Sequence, residues 1–172
     1  MSRKSSKNLR ERALKEPGYK KRVNSKVKGN RNELEVAKFL TRWTGVEFRR
    51  TPMSGAIHVP LEWLSGDVFC VDKDFNFPFS VEAKHYHKVR PSMVETWWEQ
   101  TKTDAERINK KPLLFFREDG MSKNTWWVKS DKFGIAIIAY CNFRYALMSG
   151  AVIIMSDDLL KIPYNEFLNL IL

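Results

Sequence analysis

The run Gly66-Asp67-Val68-Phe69-Cys70-Val71-Asp72, then Lys73-Asp74-Phe75-Asn76, then Phe77-Pro78-Phe79-Ser80-Val81-Glu82-Ala83-Lys84-His85 decides the reading of this chain. Two segments rich in β-branched and aromatic residues flank a polar tip, which is the pattern of a β-hairpin. With Lys73 to Asn76 as a four-residue loop, Asp72 pairs with Phe77, and the same register sets Asp67 opposite Glu82. Opposite residues on antiparallel strands share a face, with β-carbons about 5 Å apart. Lys84, two residues beyond Glu82, projects to the same side.

Two carboxylates facing each other repel, and like charges across a ladder are destabilising. A cation between them reverses the sign. Oxygen ligands from one or two carboxylates suit Mg²⁺, with Mn²⁺ able to replace it, and the Ala83 carbonyl between Glu82 and Lys84 could be a further ligand. Lys84 beside such an ion could orient or deprotonate an attacking water, or neutralise a phosphate in transit. Those parts suffice to hydrolyse a phosphodiester. The same residues also fit an exposed hairpin face carrying an ordinary Glu82–Lys84 ion pair, and taken alone they leave both readings open.

Outward from the hairpin, Asn30 to Trp43 reads as a helix with Leu34, Ala37, Phe39 and Leu40 as its apolar stripe and Gly45 at its stop. Glu33 lies near its start, where a carboxylate complements the helix dipole, and shares a face with Ala37 and Leu40. Glu35 lies on a different face. Val46 to Arg50 is a short strand, and 51–66 is irregular. Ser92 to Asn109 is a second helix, opened by a Ser92…Glu95 capping box and carrying Val94, Trp97, Thr101, Ala105 and Ile108 on one side, with Trp98 off that stripe. Leu113 to Arg117 and Thr125 to Lys129 are strands with Gly120 in the turn. The runs 135–140 and 151–155 are apolar but of open type, and 157–172 is helical. This order predicts one α/β domain, a mixed sheet flanked by helices.

Composition narrows the partners. The 172 residues carry a formal net charge of +10. Residues 1–28 hold eleven Lys and Arg against Glu11 and Glu16, a net of +9. Residues 1–27 therefore read as a basic arm preceding a folded domain at 28–172, and a polyanion, nucleic acid first, as its partner. The arm lacks the bulky apolar face of a membrane-surface helix. No apolar run has the length of a membrane span, and the start lacks a signal peptide's apolar core. Cys70 and Cys141 form no CxxC pair and read as reduced core residues of an intracellular protein.

His85 and His87 flank Tyr86, but the remaining histidine is His58, and no Cys stands nearby to complete a zinc tetrahedron. These two histidines, Lys88 and Arg90 read instead as a phosphate-contacting rim. Arg49 and Arg50 lead into the Thr51–Gly55 loop and are assigned to DNA phosphates, with a solvated strand edge as the alternative.

The segments Lys28-Gly29-Asn30-Arg31-Asn32-Glu33, Arg49-Arg50, Pro52, Ser54-Gly55, Gly66-Asp67 and Glu82-Ala83-Lys84 together resemble the PD-(D/E)xK nuclease superfamily, above all its archaeal-type Holliday junction resolvases and their phage relatives. The resemblance spans about residues 28–117. It implies a restriction-endonuclease-like sheet and a metal-dependent endonuclease acting on branched DNA as a homodimer, with no small-molecule cofactor. Glu33, Asp67 and Glu82 would be metal ligands, Lys84 the catalytic lysine, and Gln100 the glutamine that many members carry on the helix after E-x-K. Lys28, Arg31 and Ser54 would join the DNA-contacting set. The loop from Ser54 to Asp67 is longer than in the archaeal enzymes, and the Trp97-Trp98 and Trp126-Trp127 pairs are not family hallmarks. Two rivals stand beside the resolvase: another nuclease of the same superfamily (restriction-like, repair or end-processing), and a non-catalytic basic DNA-binding protein.

Overall fold

A computed structural model describes residues 25–52, 66–134 and 145–171. The elements in chain order are α1 (Ser25–Thr44), β1 (Phe48–Arg50), β2 (Val68–Cys70), β3 (Phe79–Tyr86), α2 (Pro91–Glu106), β4 (Lys111–Glu118), β5 (Trp127–Ser130), β6 (Tyr145–Met148), β7 (Ala151–Met155), α3 (Ser156–Leu159) and α4 (Tyr164–Ile171). The strands form one sheet in the order β1-β2-β3-β4-β5-β7-β6. Among the described strands, β3 and β4 alone pair in parallel, Phe79 with Lys111 through Tyr86 with Glu118. The other described pairs are antiparallel. A parallel pair needs a crossover, and α2 supplies it. The result is the expected mixed sheet flanked by helices.

Side-chain alternation on β3 and β4 sets the layers. Phe79, Val81, Leu113 and Phe115 enter a large core under α1 and α4, with Val36, Phe39, Leu40, Trp43 and Phe167. Leu114 and Phe116 enter a smaller core on the opposite face, with Val94, Trp97, Trp98 and Ile153. Trp43 stacks edge-on against Tyr164 at 5.0 Å, and its indole N–H donates to the Ile162 carbonyl at 3.0 Å, tying α1 to the chain end.

Several local expectations change. The helix begins at Ser25, so residues 25–27 of the expected arm are helical, while 1–24 lie outside the described residues. Leu34 is exposed and Val36 takes its place in the stripe. Strand β1 starts at Phe48. Helix α2 starts at Pro91 with Arg90 as its cap and no side-chain capping bond. Proline is favoured at the first helical position, so Ser92 falls inside the turn and the capping box does not form. Glu95 instead accepts from the Ser149 hydroxyl at 3.3 Å. Trp98 is buried, with the Lys129 ammonium 5.0 Å above its ring. Ile108 lies past the end of α2. The segment from 157 divides into α3 and α4 at Pro163.

The hairpin keeps its register but shortens. Val68 faces Val81, the pairing that sets Asp67 opposite Glu82. The strands stop at Cys70 and Phe79 because Phe75 and Phe77 turn inward, their rings 6.5 and 4.8 Å from Phe48. Ser54, Cys141 and the run 135–140 lie outside the described residues, and Cys70 is a half-buried free thiol. Among the described residues no helix is long and apolar enough to cross a membrane.

Candidate active site

Gly66 fixes the site's first carboxylate. Its φ is +86°, and a β-carbon there would stand 2.1 Å from the Val81 carbonyl oxygen, so only glycine fits. That close approach lets the Asp67 amide donate to Val81 O at 2.8 Å. From the other side, the Thr51 amide donates to Asp67 O at 2.8 Å, and its hydroxyl donates to Gly66 O at 2.7 Å. The Asp67 carboxylate folds back onto β3, where Oδ2 accepts the Ala83 N–H at 2.8 Å. A strand residue's N–H and C=O point to the same edge. The Ala83 carbonyl therefore faces this same side.

Alternation sends Glu82 and Lys84 to the α2 face of β3, where the Lys84 ammonium is ion-paired with Glu82 Oε1. Burial raises the pKa of Asp67, and the nearby Glu33 and Asp104 carboxylates add to it, against the Ala83 N–H and Lys84. Burial also raises that of Glu82, helped by Asp67 and Asp104 and opposed by Lys84. Burial works against the Lys84 ammonium, but Glu82 and Asp67 outweigh it, and its pKa is raised. A half-buried and a buried carboxylate thus repel each other beside one lysine.

Glu33 stands close enough for its charge to act on Asp67, yet its Oε2 lies 3.4 Å from Arg50 Nη1, which also reaches Asn30. Arg50, expected to meet DNA, is half-buried in this ion pair. Among the described residues no three His, Cys, Asp or Glu side chains converge closely enough to hold a metal ion. The donor set at hand is Asp67, Glu82 and the Ala83 carbonyl. Mg²⁺ takes one or two carboxylates and keeps several waters, so this set fits it without a third side chain.

On α2, Gln100 is exposed, one turn before Asp104. Residues four apart share a helix flank, so Gln100 lies on the side from which Asp104 acts on Asp67 and Glu82. Sequence reading missed Asp104; its spacing from Gln100 was the available signal.

The α1 face of β3 differs. His85 Nδ1 is 3.1 Å from Asn32 Oδ1 and its Nε2 2.8 Å from Asp119 Oδ1. Buried Arg117 is ion-paired with Glu35 at 2.7 Å and donates to Asn32 at 3.0 Å, and its guanidinium lies 4.3 Å above the Trp126 ring. Lys28 and His87 reach Asp119 at 2.8 and 3.1 Å. Hydrogen bonds from these two hold the Asp119 carboxyl down to about 2. Burial, Lys28 and Arg117 lower the His85 pKa against the pull of Asp119. His85, expected on an open rim, has only 13% of its side chain exposed, whereas His87 is 93% exposed. Exposed Arg31 pairs with half-buried Glu35, Arg49 pairs with Glu47 at the surface, and Lys88 and Arg90 are exposed between β3 and α2. Asn32, Arg117 and Asp119 were also missed, and Glu35 had been set aside as lying on a different face. The only clue was a cation at an inward-alternating position of β4.

The sequence profile of the family described as "Phage putative PDDEXK endonuclease" matches residues 24–145. Protein D14 of Escherichia phage T5 is 31% identical over 119 residues, covering 63% of this chain and 72% of that protein. No solved structure matches the chain. The match takes in α1, the Asp67 turn, the E-x-K strand and α2, and the chain belongs to the phage PD-(D/E)xK endonuclease family.

Proposed function

We propose that this nuclease is a divalent-metal-dependent, structure-selective DNA endonuclease of the Holliday junction resolvase kind, working as a homodimer. The observation that carries the reading is the pair of mutually repelling carboxylates, half-buried Asp67 and buried Glu82, with Lys84 bonded to the second. Asp67, Glu82 and the Ala83 carbonyl would hold Mg²⁺, or Mn²⁺ in its place, with Glu33 as a further ligand on leaving Arg50. The ion would supply charge stabilisation at the phosphate and a more acidic water. Lys84 presents its ammonium to the attacking water and to the charge that develops on the phosphate. Gln100 and Asp104, on the neighbouring helix flank, orient that water.

Phosphates of the substrate are met by Lys28, Arg31, Arg49, Arg50, Ser54, His85, His87, Lys88 and Arg90. Several of these must exchange a protein carboxylate for DNA. Residues 1–27 act as a basic arm on the duplex and 28–172 as the nuclease domain. Resolving a four-way junction requires two symmetric cuts, which a C₂ dimer delivers from identical sites.

Cleavage of a labelled four-way junction and of a linear duplex in Mg²⁺, with Glu82→Ala as control, tests the reading. Paired symmetric nicks in the junction, lost in the variant, are expected. Equal rates on linear duplex would move the protein to another PD-(D/E)xK substrate class. Binding without cleavage of any DNA would favour the DNA-binding reading.

A further inference from the structure

Most cations around the candidate active site are neutralised by the protein itself. Lys28, Arg31, Arg49, Arg50, Lys84 and Arg117 each hold a carboxylate. A second group behaves differently. Lys38 and Arg42 on α1 and Lys123 in the β4–β5 turn line one hollow of about 380 Å³, together with Asn124 and Asp157. None of the three cations has an ion-pair partner among the described residues. Glu35, also at this hollow, is already held by Arg117. Three cations thus face one unpaired carboxylate.

Like charges four residues apart on a helix are destabilising, and here the fold brings a third from the turn after β4. An external anion removes that repulsion. Lys38 and Arg42 continue the surface stripe that begins at Arg31, along the helix that carries Glu33. At 1.5 Å per residue, Arg42 lies roughly 13 Å along the axis from Glu33, about four base-pair steps at 3.4 Å each. Asn124, with φ +62°, turns the chain sharply at the hollow and adds an amide donor to its wall.

We propose that Lys38, Arg42 and Lys123 form a second phosphate-binding site, which grips the backbone of a duplex arm several base pairs from the cut. This rests on the DNA-cutting reading and extends it, because the site lies outside the metal-binding cluster and reads no base. Its contribution is electrostatic and independent of sequence.

The test is DNA binding by the full-length protein in Ca²⁺, comparing wild type with the Lys38→Ala/Arg42→Ala/Lys123→Ala triple variant over a range of salt. Each phosphate contact contributes about 0.9 to the slope of log affinity against log salt. The triple variant is expected to lose about 2–3 from that slope, with a tenfold or greater loss of affinity at low salt. The charge-retaining Lys38→Arg/Lys123→Arg variant should keep the wild-type slope. Unwinding temperatures followed by circular dichroism verify that all forms are folded; the replaced side chains lie at the surface or in its hollow. An unchanged slope in the folded triple variant, with wild type binding normally, overturns the proposal and leaves the nuclease reading intact. It would point instead to an acidic protein partner. Wild type that neither binds nor cuts DNA defeats the nuclease reading itself.

Discussion

The two faces of β3 carry charge in opposite ways. Toward α1, His85 joins Asn32, Arg117, Glu35 and Asp119, and each charge there meets an opposite one or a hydrogen-bonding partner. Toward α2, Glu82 meets Lys84 but also a second carboxylate, half-buried Asp67, with Asp104 adding to the repulsion. One strand, alternating every residue, thus separates a closed network from an unbalanced one. Paired buried charge holds a fold together, because breaking the pair strands its partner. Unpaired like charge is destabilising on its own and persists where a ligand or a reaction uses it.

The largest effect should come from the unbalanced face. Lys84→Ala is expected to lower the cleavage rate by on the order of 10³–10⁴, within the range for a positioned proton-handling or charge-stabilising group. Junction binding should change by no more than a few-fold. Single-turnover cleavage beside a binding titration reads both, and rapid cutting by the variant would remove Lys84 from the mechanism.

The closed face should answer in stability. Arg117→Ala removes a buried guanidinium from Asn32 and from half-buried Glu35, leaving Glu35 only Arg31, and should destabilise by about 3 kcal/mol. Urea unfolding measures it. A loss below about 1 kcal/mol, the surface-pair range, would mean the network is not structural. Gly66→Ala comes next. The alanine must adopt a left-handed backbone and clear the Val81 carbonyl, at about 1–3 kcal/mol of strain. Because Asp67 follows directly, cleavage should fall further than stability predicts, and a variant with wild-type cutting would uncouple the turn from the site.

The smallest effect on stability has the opposite sign. Asp67→Asn relieves the carboxylate repulsion and should stabilise the metal-free protein by about 1 kcal/mol at pH 7 while abolishing cleavage. The folded-state pKa of Asp67 is raised above its ordinary 3.8. Its destabilising effect is therefore absent below that value and grows as pH rises through the raised one. The gain from Asn should accordingly vanish near pH 3.5, and urea midpoints in EDTA at the two pH values check it. A variant less stable than wild type at pH 7 would mean that the Ala83 N–H bond outweighs the repulsion.

The asymmetry of legibility follows the same division. The Asp67–Glu82 register could be read because strand alternation ties register to which face is buried, so the Val68–Val81 pairing survives even though the loop is longer than the polar tip suggested. The E-x-K spacing then places Lys84 without further knowledge. The closed network could not be read: Arg117 and Asn32 are 85 residues apart, and only the packing of α1 across the sheet joins them. The Glu33–Arg50 pair was hidden for the same reason, each residue having a plausible separate role. The helix start at Pro91 was misplaced because two local signals competed, a proline at the first turn and a serine one residue later.

The parallel pairing of β3 with β4 has a consequence for the order of assembly. A hairpin can zip from its turn, but β3 must wait for α2 and β4 to be synthesised and brought back across it, a long-range closure that slows folding. On a ribosome, Glu82 and Lys84 emerge while one edge of their strand is still open, and with Asp67 they reach their final environment only after residue 118 has followed. The acidic pair is therefore assembled late, and the nascent chain holds its carboxylates in water, where they repel least, until the rest of the sheet is ready to enclose them.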